Sequence, residues 1–195
     1  MQLNTRKLRV YLAGPEVFLI DAIDIGRRKK ALCSKYGFDG LYPFDNEVSK
    51  DGVELPVDLL IYRANIAMLR ESDFGIFNLT PFRGPSADVG TVFELGVLIG
   101  LEKPVFAYTN DDSDYLERLK QTARLQHDPT GNLWRDVEGM TVEDFGNTDN
   151  LMISSTLVEQ GRSVIRRAAR SEDRFRDLGG FEECLCLAAK TLAAV

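Results

Sequence analysis

Apolar residues fall into two alternating patterns along this chain. Short apolar runs at LRVYLAGP (8–15), DFGIFNLTP (73–81) and KPVFAYTND (103–111) predict buried strands that run out into loops. A briefer strand is predicted in GFDGLYPFD (37–45), stopping at Pro43. Between these runs the apolar period lengthens. Ile25, Leu32 and Tyr36 mark a helix over 21–36, with Gly37 just past its end. Leu59, Tyr62, Ile66 and Leu69, spaced three, four and three, mark a second over 56–71, with Pro56 suited to its first turn. VGTVFELGVLIGLEK (89–103) is apolar nearly throughout and predicts a mostly buried helix. Further helices are expected over 147–168 and 181–194.

Strands alternating with helices predict an α/β fold: a doubly wound parallel sheet with helices on both faces. The expectation is one domain over 1–195. The polar stretch 110–146, with DDSDY, HDPTGN and VEGMTVEDFG, is expected to be an irregular excursion with a small hairpin. The basic run RSVIRRAAR (162–170) reads as a solvated helix face. Ligands of such sheets sit beyond the carboxyl ends of the strands. The loops at 13–18, 43–47 and 79–88 are therefore expected to line the site.

Composition narrows the chemistry. A chain of 195 residues, 44% hydrophobic and 28% charged, can bury the core of one ordinary domain. No apolar run approaches the roughly 20 residues that span a bilayer, and the N-terminal residues lack the apolar stretch of a secretion signal. A cytoplasmic protein without a membrane partner is expected. The net charge of -6, with no dominant basic stripe, argues against a nucleic-acid polymer as partner. Cys33, Cys184 and Cys186 are too few for a disulfide scaffold and lack zinc-ligand spacing. His127 is the only histidine, and no GxSxG accompanies it. Carboxylates are left as the agents of any catalysis.

The segment DVGTVFELG (88–96) offers two. Glu94 lies inside an apolar helix, where a lone ionised carboxylate is costly unless paired or hydrogen-bonded. It is either a buried functional acid or a solvated residue on a half-exposed face. Asp88 suits a helix N-cap. Six residues apart, the two would flank a ligand from loop and helix. Gly84, Gly90 and Thr91 suggest close backbone approach near a helix start. Asp45 and Asn46, in YPFDN (42–46), follow a strand as an ordinary turn would. Tyr11 on the first strand would usually be a core tyrosine.

In this order, VYLAGPEVF (10–18), YPFDN (42–46), NIAMLRESDFGIFNLTPFRGPSADVGTVFELG (65–96) and DNLMI (149–153) resemble the nucleoside 2-deoxyribosyltransferase family. The resemblance implies a flavodoxin-like fold, no metal and no organic cofactor. It implies transfer of 2-deoxyribose between nucleobases, so the partners would be a 2'-deoxyribonucleoside and a free nucleobase. By position, Glu94 matches the family nucleophile and Asp88 a residue binding the sugar hydroxyls. Tyr11 matches a tyrosine that orients the nucleophile. Asp45, Asn46 and Glu47 match the loop edging the base pocket. Asn150 matches an asparagine supplied by a neighbouring subunit, which implies a homo-oligomer whose sites are completed by that neighbour. Gly14, Phe18, Asn65, Gly90 and Met152, within the matching segments, are counted with the substrate-binding residues, Phe18 as a stacking surface for the base. Some members carry an aspartate at the position of Asn65 that helps protonate the leaving base. An amide cannot be that acid, so Asp45 or water is expected to act instead.

Two rivals stand beside this reading. The Gly-Thr-x-x-Glu pattern at 90–94 is similar to that of phosphoribohydrolases, implying an N-glycosidase acting on a nucleoside or its 5'-monophosphate. Arg83, Ser86 and the N–H groups near Gly90 would then hold the phosphate, although Asp88, facing the 5' position, would repel it. The other rival is a nucleotide-sensing module without catalysis, against which the intact set Tyr11, Asp88 and Glu94 argues.

Overall fold

The structure, a computed structural model, describes residues 6–46 and 55–192. Its first half follows the predicted alternation: β1 (Arg9–Ala13), α1 (Ala22–Lys35), β2 (Asp39–Leu41), α2 (Val57–Glu71), β3 (Phe74–Asn78), α3 (Val89–Gly100) and β4 (Val105–Thr109). Single 3-10 turns at Pro15–Phe18 and Pro43–Asp45 follow β1 and β2, each opened by a proline whose fixed φ suits a first helical turn. The second half adds α4 (Tyr115–Thr122), β5 (Gln126–Asp128), β6 (Leu133–Arg135), β7 (Thr141–Val142), α5 (Leu151–Glu159), β8 (Ile165–Arg166) and α6 (Gly179–Leu192).

Five strands form one wholly parallel sheet in the order β2-β1-β3-β4-β8. This is the flavodoxin-like doubly wound order. The strands are apolar on both faces because both are covered. On β1, Tyr11 and Ala13 enter a core made with α2, α3 and α5. Val10 and Leu12 enter the opposite core, made with α1 and α6. The chain leaves β1 for α1 on one face and leaves β3 for α3 on the other. Between the carboxyl ends of these adjacent strands lies the topological switch point, where a crevice opens. No helix among the described residues is long and apolar enough to cross a membrane.

The second half departs from the sequence reading in three places. The helix expected over 147–168 ends at Glu159. Gly161, at φ 69°, takes the left-handed conformation that ends the helix. Gln160 then bonds across to the start of β4, its Oε1 accepting from Val105 N at 2.9 Å. The chain continues as the edge strand β8, pairing Ile165 with Tyr108 and Arg166 with Thr109. The basic run is consequently not a helix face. Arg166 pairs with Asp114 at 2.6 Å, and Arg162 lies over the Phe106 ring at 4.4 Å. The excursion 110–146 is ordered rather than irregular, holding α4 and the three-stranded antiparallel sheet β5-β6-β7.

Arg118 fastens this excursion to the sheet edge. Only 6% exposed, it donates to Pro85 O and Ser113 O, both at 2.7 Å, and to Thr148 O. Next to Thr148, the Asp149 carboxylate accepts from Ala87 N at 2.7 Å. The two side chains hold the loop that leads into α3. Arg118→Ala would leave three carbonyls without this donor, that of Thr148 buried and the other two partly so, and is expected to cost about 3 kcal/mol. Arg170→Ala, which removes an exposed pair with Asp173, should cost less than about 1 kcal/mol. Equilibrium urea unfolding of both variants checks the difference; equal losses would show that Arg118 anchors nothing.

Candidate active site

A cavity of about 560 Å³ occupies the switch-point crevice, a volume ordinary for a small-molecule site. Among the described residues four segments line it. The turn after β1 gives Gly14, Val17 and Phe18; the turn after β2 gives Pro43, Phe44 and Asn46; α2 gives Ile61 and Asn65; the start of α3 gives Asp88, Gly90, Thr91 and Glu94. The walls are apolar and aromatic, and the polar groups converge on Glu94.

Glu94 is half-buried on α3 and accepts two hydrogen bonds on the same oxygen. Tyr11 Oη donates to Oε1 at 2.7 Å and Asn65 Nδ2 at 3.4 Å. Among the described residues Oε2 accepts none. Burial pushes the Glu94 carboxyl up to about 7, and the charge of Asp88 adds to this, while the bonds from Tyr11 and Asn65 pull the other way. Tyr11 is fully buried on β1. Burial first, then the Glu94 charge, raise its phenol well above the usual range, so it stays a donor. Asn65 is held in turn by Asn46, whose Nδ2 donates to Asn65 Oδ1 at 3.3 Å. A chain of neutral amides thus leads from the turn after β2 to the carboxylate.

Asp88 caps α3. Its Oδ2 accepts from Thr91 N at 2.9 Å and from Thr91 Oγ1 at 3.0 Å, which leaves Oδ1 for a ligand. The N-cap is the one the sequence suggested, and the residue also lines the cavity. Phe18 is 56% exposed and stacks on Phe82 at 5.1 Å, with interplanar angle 11°. The Arg83 guanidinium lies over both rings, at 5.3 and 4.6 Å.

Three expected site residues stand elsewhere in the described chain. Asp45 turns away from the cavity. Its Oδ2 accepts from Tyr42 N at 2.9 Å and its Oδ1 pairs with Lys30 at 2.8 Å, so it is committed to closing its own turn. Asn150 and Met152, at the start of α5, do not line the cavity of their own chain. Asn150 caps α5 through Met152 N at 3.0 Å, and its Nδ2 donates to Glu143 at 2.6 Å. Met152 is 70% exposed. Glu47 lies outside the described residues. Val17, Pro43, Phe44 and Ile61 were not singled out from sequence as site residues, and Thr91 was named only for its place near a helix start. Each stood inside or beside a segment that was singled out.

The weakened acidity of Glu94 has a stability consequence. A carboxyl whose folded value lies above its unfolded one folds more readily in its protonated form. Wild-type stability should therefore fall as pH rises from about 5 through about 7. Glu94→Gln keeps the size without the charge and should melt a few degrees higher at pH 8, with little difference at pH 4.5. Tyr11→Phe removes a bond that favours the ionised form, so its pH-dependent loss should move to higher pH. Thermal melts of the three proteins across pH 4.5–8.5 decide this; a Glu94→Gln advantage independent of pH would refute the shift.

The family model described as nucleoside 2-deoxyribosyltransferase matches residues 10–152. An uncharacterized protein of Schizosaccharomyces pombe is 31% identical over 171 residues, covering 80% of this chain and 79% of that protein. Among solved structures, the 2-desoxiribosyltransferase of Leishmania mexicana superposes with a TM-score of 0.67 at 25% identity, over 94% of this chain and 98% of that one. A conserved protein of Enterococcus faecalis matches with a TM-score of 0.51 at 19% identity, over 93% and 99%, a likeness of fold. The matched region runs from β1 to the start of α5 and contains every residue that lines the cavity. The chain belongs to the nucleoside 2-deoxyribosyltransferase family.

Proposed function

We propose that this chain moves 2-deoxyribose from one nucleobase to another by a retaining double displacement through Glu94. The observation that carries the reading is the one-sided hold on the Glu94 carboxylate. Tyr11 and Asn65 fix Oε1, and Oε2 is left at the wall of an apolar cavity that also holds Asp88. In the first step Oε2 attacks the anomeric carbon. The carbon–nitrogen bond breaks and its electron pair leaves with the base. In the second step a ring nitrogen of the incoming base attacks that carbon, its proton passes to water, and the ester electrons return to Glu94. Two inversions retain the β-configuration.

Each residue has a part in this reading. Tyr11 orients the nucleophile. Asp88 Oδ1 accepts from a sugar hydroxyl. Phe18 and Phe44 offer flat apolar surface to a base, and Asn46 with Asn65 offers amide donors and acceptors. Asn65 cannot serve as an acid, and Asp45 is committed to Lys30 and its own turn. The proton for the leaving base is therefore assigned to water. A bound base, held in line with the ester, has a large effective-molarity advantage over disordered water. Incubation with deoxyinosine plus a different free base, followed by product chromatography, should show a new deoxynucleoside. Glu94→Ala should lower the rate by at least about a thousandfold while the protein stays folded. Release of free deoxyribose at a rate indifferent to added base, with no new nucleoside, would favour the N-glycosidase instead.

The same reading includes a homo-oligomer in which Asn150 and Met152 reach a neighbour's cavity. Two features support it. Both residues are exposed and lie away from their own site, and an apolar face of Val57, Ile61, Tyr62, Val89 and Phe93 is exposed on α2 and α3 beside that site. Mixing inactive Glu94→Ala with an impaired Asn150→Ala variant under subunit exchange should restore part of the activity. A fully active monomer in dilute sedimentation would exclude shared sites.

A further inference from the structure

A second carboxylate lies under the cavity, and the chemistry above makes no use of it. Glu16 and Lys29 are both 0% exposed and form an ion pair. Asn78 Nδ2, from the end of β3, donates to Glu16 Oε2 at 2.8 Å. Lys29, from α1, also sits over the Phe181 ring at 4.8 Å and the Tyr108 ring at 5.9 Å. Asn78 Oδ1 accepts from Thr80 Oγ1 at 2.6 Å, and Thr80 Oγ1 accepts from Asn110 N at 3.0 Å. The cluster therefore joins the carboxyl ends of β1, β3 and β4 to α1 and α6.

Stability alone is a poor reason to keep such a pair. Replacing a buried ion pair with apolar side chains of similar size is often neutral or stabilising. What the pair touches is more informative. The Glu16 carboxylate packs directly beneath Gly14. A Cβ on Gly14 would overlap that carboxylate and lie 2.6 Å from Asn78 Cβ. Glu16 also belongs to the 3-10 turn Pro15–Phe18, whose Val17 and Phe18 form part of the cavity wall. That turn is closed by few backbone bonds, among them Leu19 N to Glu16 O at 3.1 Å and a long Val17 N to Gly14 O at 3.4 Å. A wall so lightly bonded needs support from behind.

We infer that Glu16, held by Lys29 and Asn78, is a positioning residue that fixes the Gly14–Phe18 wall of the cavity and so sets how tightly the deoxynucleoside is bound. The side chain reaches the ligand only through the backbone of Gly14 and the placement of Phe18. Its loss should therefore appear in binding more than in chemistry. The kinetic part of this inference rests on the proposed transfer reaction; the structural part does not.

The test compares the full-length wild type with Glu16→Leu/Lys29→Met, which removes both charges, and Glu16→Gln/Lys29→Met, which keeps an acceptor for Asn78. Thermal melting should leave the Leu/Met protein folded, with a midpoint within a few degrees of wild type. Amide hydrogen exchange at Leu19 should lose about tenfold protection in that protein and recover much of it in the Gln/Met protein. KM for the deoxynucleoside should rise about fivefold or more while kcat changes less than about threefold. Unchanged protection and KM in a folded Leu/Met protein would overturn the inference, as would a fall in kcat with KM unmoved. If Leu/Met does not fold, Asn78→Ser, which leaves the ion pair and withdraws the donor to Oε2, decides the matter by the same two readouts, and no change in either overturns it. A wild type without turnover would refute the transferase reading, and the exchange measurement alone would then judge the role of Glu16.

Discussion

The whole site turns on the cost of keeping one carboxylate out of water. Glu94 sits on a helix whose other residues are almost all apolar, at a position where solvent is largely excluded. A cation beside it would repay the desolvation but would also hold the charge too well for it to form and break a bond. The fold instead supplies two neutral donors, the Tyr11 phenol and the Asn65 amide, both on one oxygen. That arrangement needs β1 and α3 as close neighbours. The strand order β2-β1-β3 provides it, by sending the chain to opposite faces from β1 and β3. Sheet topology and carboxylate chemistry are thus one constraint seen at two scales.

Glu16 and Glu94 show how environment divides two otherwise equal groups. Glu16 is sealed from solvent and has a lysine on one oxygen and an amide donor on the other. Both oxygens are occupied, and it is fixed. Glu94 keeps one oxygen uncommitted among the described residues and faces a cavity. The two are separated by the end of β1, whose Tyr11 belongs to one core and whose continuation through Gly14 touches the other acid. Glycine at 14 is needed because the backbone must pass over the Glu16 carboxylate with no room for a side chain.

Much of this was legible in the sequence, for reasons that differ by element. The first four strands and three helices carry strong signals. Their strands are buried on both faces, α2 shows the three-four spacing of an apolar stripe, and α3 is apolar nearly throughout. Glu94 was visible because an acid is out of place in VFELGVLIG, and Asp88 because Asp is a good cap. The edge strand β8 was not visible. Its two residues lie among arginines, and only pairing with Tyr108 and Thr109 makes them a strand. The excursion was underread because its sheet is short and polar, closed by local side-chain bonds such as those of Asp128 and Asp136. Asp45 was misplaced because a motif gives a position but not a side-chain direction, and Lys30, one helix away, decides that direction. Glu16 escaped notice since nothing in AGPEVF indicates that the acid points inward, toward a lysine thirteen residues on.

The amide chain Asn46–Asn65–Glu94 makes the turn after β2 and the Glu94 carboxylate parts of one electrostatic unit. Asn65 donates to Glu94 with the same amide whose oxygen accepts from Asn46. Hydrogen bonds in series polarise one another, so a group that draws on Asn46 or Asn65 alters the donation reaching Oε1. An aspartate at 65 would add a charge and a proton acceptor at that point. It would repel the Glu94 carboxylate as well as offer an acid to the base. The amide gives up the acid and leaves Asp88 as the charge that acts on Glu94. With Tyr11 protonated throughout the working range, Glu94 then titrates against a fixed pair of donors. In the proposed reaction, a base seated on the two amides would therefore tune the leaving ability of the very ester it attacks.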